Sequence, residues 1–154
     1  GEVVWYRSSG NYWYNAWDWK PYESSEMKTL GIKSSMRHFV LCLINSQLFY
    51  IWLRIYGDAR HLNKDILKNM PVPSEDSITK YQAQLEVMSQ KIMEGLRGVF
   101  DADKNRFETS KIKPILDKND RLLGQVYGYP KERVNKFENF IMNYDAIIHG
   151  GKTL

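Results

Sequence analysis

The rhythm of apolar and polar residues changes along this chain. Val3-Val-Trp-Tyr-Arg7 is β-branched and aromatic, which predicts a strand. Ser8-Ser-Gly-Asn11 is turn chemistry, and Asn11 to Trp19 reads as a second strand or an irregular aromatic loop. After Ser34-Ser35, read as N-caps, a helix carries the apolar run from Phe39. Asn45-Ser46 reads as a cap or kink before a second helix, Gln47 to Tyr56, ended by Gly57. Leu48, Phe49 and Trp52 on it are expected in the core. Asn63 or Asp65 caps a short turn through Lys68, and Met70-Pro-Val-Pro73 is extended because residues before Pro avoid the α region.

The clearest helix opens at Ser74. Ile78, Tyr81, Leu85, Met88, Ile92, Leu96 and Val99 step by 3, 4, 3, 4, 4 and 3, a stripe that must pack on another helix or on a neighbouring domain. Asp101 to Ser110 is polar and reads as a loop. Pro114 starts a helix that stops at Gly128, and Pro130 starts a last one through Tyr144, with Val134, Phe137, Phe140 and Ile141 on one face. The expected fold class is therefore α+β: a small aromatic-rich N-terminal β portion, then a mainly helical C-terminal region with a long packing helix. Strand chemistry is confined to the first ~25 residues and Met70–Pro73. Residues 1–73 form one part and 74–154 a helical extension.

Composition narrows the class. Hydrophobic residues at 43% and charged residues at 26% are those of a soluble globular protein. Eight aromatics fall within residues 1–22. The net charge of +4 permits a nucleic-acid partner without demanding one. Cys42 is the only cysteine, so no internal disulfide forms, and a buried inert thiol in a reducing cytoplasm is expected. The apolar run Phe39–Leu53 is broken by Asn45-Ser-Gln47 and falls short of the ~20 residues a membrane span needs. A first residue Gly1 rather than Met leads us to expect a piece of a longer polypeptide.

Chemistry for catalysis is not visible. The chain has no Gly-rich phosphate loop, and His38, His61 and His149 lack the spacing of metal ligands. Neither paired acids followed by Glu-x-Lys nor an Asn-Pro-Pro-Tyr loop is present. No catalytic residue, metal or cofactor is expected in this chain. Between Lys28 and Lys68, by contrast, seven basic residues face only Asp58 and Asp65. Such a window suits phosphate contacts, or equally a solvated helix face. The N-terminal aromatics either stack on bases or fill a core. Asn11, Ser24 and Ser25 beside them suit base edges or phosphates, and equally turns and caps.

Several segments carry a resemblance. Tyr6-Arg-Ser-Ser-Gly-Asn-Tyr-Trp13, Ser24-Ser-Glu-Met-Lys-Thr-Leu30, Leu43-Ile-Asn-Ser-Gln-Leu-Phe-Tyr-Ile-Trp52, Gly57-Asp-Ala-Arg-His-Leu-Asn-Lys-Asp-Ile66 and Asn69-Met-Pro-Val-Pro73 follow in order. Leu116-Asp-Lys-Asn-Asp-Arg-Leu-Leu-Gly-Gln-Val-Tyr-Gly128 and Ile141-Met-Asn-Tyr-Asp145 close the series. Together they resemble the C-terminal target-recognition domain of Type IIG restriction-modification enzymes and adenine-specific DNA methyltransferases, and the recognition domains of Type I specificity subunits. The resemblance implies a bacterial, cytoplasmic, non-catalytic module that reads double-stranded DNA. The parent's catalytic domain would be its partner in the same polypeptide. It would bind S-adenosylmethionine, and Mg where the parent also cuts DNA. The implied DNA-binding residues are Arg7, Asn11, Ser24, Ser25, Lys28, Arg37, Arg60, His61, Asn63 and Lys64. Arg60 to Lys64 would meet DNA at a helix N-terminus, unless Asn63 serves as a cap and Arg60 pairs with Asp58. The competing reading is a helical protein-interaction module without a nucleic-acid role.

Overall fold

The computed structural model describes residues 2–9, 14–56, 62–63, 67 and 69–128. Strand β1, Glu2–Arg7, alternates as its composition requires. Val4 and Tyr6 turn inward to the core, while Val3 is 47% exposed. Its partner on one side is β3, Met27–Ile32, antiparallel from Glu2 opposite Ile32 to Arg7 opposite Met27. On the other side lies the two-residue β2, Ala16–Trp17, with Trp5 opposite Trp17. The sheet order is β2-β1-β3.

A short 3-10 turn, Ser34–Met36, leads into helix α1, Arg37–Ile44, and then α2, Gln47–Tyr56. The two helical segments meet at 76°. Among the described residues no single helix is long and apolar enough to cross a membrane. Ser74 caps α3, Glu75–Lys80, by accepting the Ser77 N–H at 3.2 Å. Helix α4 is Gln82–Gly98, and α5 is Lys113–Val126 with Pro114 in its first turn. Helix α5 stops where Gly128 takes a φ of 90°, a left-handed conformation that a side chain would strain.

One apolar core joins strands and helices. Val4, Phe39, Leu53, Leu85, Ile92 and Leu123 are each completely buried within it. Helix α1 lies on α4: the Cys42 thiol reaches the Leu85 carbonyl at 3.6 Å, and burial pushes that thiol far up from its ordinary value. A thiol so buried packs as a small apolar side chain.

The fold is α+β, with its aromatic-rich strands at the N-terminus and helices after them. Four details differ from the sequence expectation. Strand β3 extends past residue 25, since six register pairs with β1 outweigh the poor strand preference of Lys28 and Gly31. Ser34 and Ser35 do not cap α1; they belong to the 3-10 turn, which has no side-chain cap. The stripe from Ile78 to Val99 is two helices broken at Tyr81, whose ψ of 14° leaves the helical well. The polar segment after Val99 contains a hairpin, β4 Phe100–Asp101 with β5 Arg106–Phe107, held by aromatic packing rather than by strand length. The helix expected over 130–144 lies outside the described residues.

Candidate nucleic-acid interface

The end of β1 lies beside the start of β3, and this edge of the sheet gathers segments far apart in sequence. Ser8, one residue past β1, donates its N–H to the Glu26 carbonyl at 2.8 Å. Its own carbonyl accepts the Leu62 N–H, also at 2.8 Å. The side chain of Leu62 is 1% exposed, so a core residue fixes this crossing. Ser8 thereby links three stretches singled out in sequence: the end of β1, the Ser24–Lys28 turn, and the segment around Asn63.

The expected contact residues that are described have definite places. Arg7 is exposed at the rim, with Nε 3.9 Å from Glu26 Oε2 and Nη1 3.4 Å from the Tyr22 hydroxyl. At 3.9 Å the Glu26 contact is ionic and not a formed hydrogen bond. Ser24 builds the turn: its Oγ accepts the Glu26 N–H and its carbonyl accepts the Met27 N–H. Ser25 is exposed at the turn's apex, and Lys28 is exposed across the ladder from Tyr6. Asn63 is exposed, and its carbonyl accepts the Leu67 N–H at 3.1 Å, the spacing of a helical turn. Asn11, Arg60, His61 and Lys64 lie outside the described residues.

Arg37 is placed differently. Its Nε lies 3.5 Å from Glu2 and its Nη2 3.7 Å from Asp18, which also holds Arg97 at 3.4 Å. This half-buried guanidinium ties α1 to the opposite end of β1, so the structure does not bring it to Ser8. His38 is likewise internal, its Nδ1 2.8 Å from Ser89 Oγ between α1 and α4. Ser89 Oγ also lies 2.9 Å from the Glu86 carbonyl, which it can donate to while accepting from His38. Among the described residues no three His, Cys, Asp or Glu side chains gather to hold a metal ion.

The described N-terminal aromatics divide between core and rim, and Tyr12 and Trp13 lie outside the described residues. Tyr6, Tyr14 and Trp17 are buried. Trp17 packs on Phe107 at 5.2 Å, Phe107 stacks on Phe100 at 4.7 Å, and Tyr22 lies parallel to Phe100 at 6.2 Å. Lys20 sits over Trp5 and Arg97 over Trp19. These rings are consumed by packing and cation–π contacts, the ordinary use of such residues.

Sequence reasoning named Asn45-Ser46 as a cap or kink but missed the polar cluster that Gln47, Asn119 and Asp120 complete at the α1–α2 kink. Asn45 is wholly buried: its Nδ2 donates to the Ala16 and Leu41 carbonyls at 2.9 Å, while its Oδ1 accepts from Ala16 N–H and Asn15 Nδ2. Ser46 Oγ caps α2 by accepting the Phe49 N–H at 3.0 Å, as its position before the helix predicts. From α5, Asp120 accepts the N–H groups of Gln47 and Leu48 and the Gln47 side-chain amide. Burial pushes its carboxyl up to about 7 against the pull of those donors. Asn119 beside it donates to the Cys42 carbonyl at 2.8 Å. Polar residues within an otherwise apolar helix stripe, such as Asn119-Asp120 before Leu122, were the available signal. Comparison with protein-family models, with curated proteins and with solved structures returned no match.

Proposed function

We propose that this chain is the sequence-specific DNA-recognition module of a bacterial restriction-modification enzyme, with no catalytic centre of its own. The observation that carries the reading is the crossing at Ser8. Its two backbone hydrogen bonds bring Arg7, Ser24, Ser25, Lys28 and Asn63 to one end of the sheet. Their side chains suit phosphates and base edges, and all five lie in segments that resemble Type IIG recognition domains. Arg60 and Lys64 flank Leu62 and Asn63 in sequence and belong to the same proposal. The partner is double-stranded DNA, and the surface works by placing exposed cations against phosphates while short polar side chains orient the duplex. Methyl transfer, with its S-adenosylmethionine, and any Mg-dependent cleavage are assigned to the catalytic domain of the parent polypeptide, in the bacterial cytoplasm.

The second reading, a protein-interaction module, is favoured by one observation. Val87 is 51% exposed beside Ala83, Met88 and Leu122 in an apolar groove on α4. One assay separates the two readings. Binding of the chain to duplex DNA, followed against salt concentration, is expected to weaken as salt rises. Lys28→Ala is expected to weaken it on every sequence and to lower the salt slope by ~1. Binding that ignores salt and is untouched by Lys28→Ala together with Arg7→Ala would remove the DNA reading and leave the second.

A further inference from the structure

We propose that the β4–β5 hairpin is a base-reading arm of the same DNA surface, inserted as a two-stranded ribbon into the major groove. The inference rests on the DNA-binding reading above and adds to it the element that reads sequence. Nothing in the resemblance points to this hairpin.

The hairpin is built to present its tip. Ala102, Asp103, Lys104, Asn105 and Arg106 are five consecutive exposed residues. Yet the tip is ordered from within. Asp101 Oδ1 accepts the N–H groups of Asp103 and Lys104 at 3.1 and 3.2 Å. Asn105 holds a φ of 47°, the left-handed conformation in which Asn is one of the few tolerated side chains.

The base of the hairpin is anchored toward the candidate interface. Phe100 and Phe107 stack on each other, and Phe100 lies at 3° to the ring of Tyr22. The Tyr22 hydroxyl in turn accepts from Arg7. A row of rings therefore connects the ribbon to the rim residue beside Ser8. The major groove admits a two-stranded ribbon, and phosphates alone would not explain what this tip carries. Two cations stand beside a carboxylate, Asp103, that phosphates would repel. Base edges accept the whole set: Lys or Arg donate to guanine, Asn pairs with adenine, and Asp accepts from the cytosine amino group. Lys104 has no ion pair within 4.0 Å among the described residues, and Arg106 has only a longer-range attraction to Glu108, which Lys111 holds at 2.6 Å.

The test is selection of binding sites from a random duplex library by the full chain, by Lys104→Ala/Arg106→Ala, by Asn105→Gly, and by Lys28→Ala. Glycine keeps the left-handed backbone while removing the amide, so Asn105→Gly guards against a merely misfolded tip. The unmodified chain is expected to enrich a consensus. Each hairpin variant should relax one or two of its positions, with preference there falling roughly five- to hundredfold. Lys28→Ala should keep the consensus and bind it more weakly. Hairpin variants that enrich the same consensus at the same affinity, while Lys28→Ala still weakens binding, overturn the arm and leave the DNA reading standing. A uniform loss of affinity without a change of consensus also overturns it, since the tip would then touch phosphate alone. If the unmodified chain binds no duplex and no variant changes that, both inferences fall.

Discussion

The two polar regions of this molecule treat their polar groups in opposite ways. At the α1–α2 kink, Asn45, Gln47, Asn119 and Asp120 are all at least 97% buried, and their donors face acceptors at 2.8–3.4 Å, while Gln47 Oε1 and Asn119 Oδ1 are buried without a partner among the described residues. At the sheet end, Lys28 and Ser25 stand in solvent, and exposed Arg7 makes long contacts, 3.9 Å to Glu26 and 3.4 Å to the Tyr22 hydroxyl. A buried polar group must be paired because its desolvation is otherwise uncompensated. An exposed cation is under no such demand, and many contribute nothing measurable to stability. The first region is therefore legible as architecture: it fixes the bend that lets α2 and α5 share a core. The second is costly to nobody if deleted, so its charges are free to meet a partner. The contrast can be broken or sharpened by moving one residue at a time in each region.

The largest effect is expected at Asn45. Asn45→Ala removes four hydrogen bonds and leaves the N–H and carbonyl of Ala16 unpaired in the core. The loss should be about 3 kcal/mol, from two orphaned buried groups. For a chain of this size that lowers Tm by roughly 10 °C. Thermal unfolding checks it. A shift of less than ~0.5 kcal/mol, the range of ordinary surface changes, would mean that β2 is not held by this side chain.

Asp120 gives the next effect, and it depends on pH. Its folded value of about 7 lies above the ordinary 3.8. The folded state thus holds this proton more tightly than the unfolded chain does. The stabilisation it supplies is complete below about pH 4 and is lost as pH rises through 7. The carboxylate of Asp117, one turn earlier, adds to the upward shift. Tm measured from pH 5 to pH 8 should fall, and Asp120→Asn should flatten that fall while lowering stability at pH 5. An equal slope in the two proteins would place the pH dependence elsewhere.

Periodicity made the helices legible, and the reason is physical. The burial of Leu85, Ile92, Leu96, Leu116 and Leu123 is a one-dimensional signal that any helix shows. Ser46 and Ser74 were readable as caps because a cap acts within three residues. The strands outside the N-terminus were not readable: β3 exists through its register with β1, and β4–β5 through rings contributed by Trp17 and Tyr22. Those partners are distant in sequence. The candidate site was legible as residue types but not as a place. Nothing in the sequence told that Leu62 would cross Ser8, or that Arg37, basic like its neighbours, would be taken by Glu2 and Asp18.

That last difference supplies the smallest and most discriminating prediction. Arg37 and Lys28 are alike by charge and by sequence window, yet they stand in the two different regimes. Arg37→Ala removes a half-buried contact to two carboxylates, but Asp18 keeps Arg97 at 3.4 Å and Glu2 is open to water. Solvent screening holds the expected loss to about 1 kcal/mol. Since Arg37 does not reach the Ser8 crossing, the salt slope of DNA binding should not change. Lys28→Ala should do the reverse: stability within ~0.5 kcal/mol of the unmodified chain, and a salt slope lower by ~1. The two variants are compared by thermal unfolding and by duplex binding at several salt concentrations. If Arg37→Ala lowers the slope as Lys28→Ala does, the ion pairs with Glu2 and Asp18 open in the complex. Burial within the free chain would then be no guide to which cations meet DNA, and the division between the two regions would have to be redrawn.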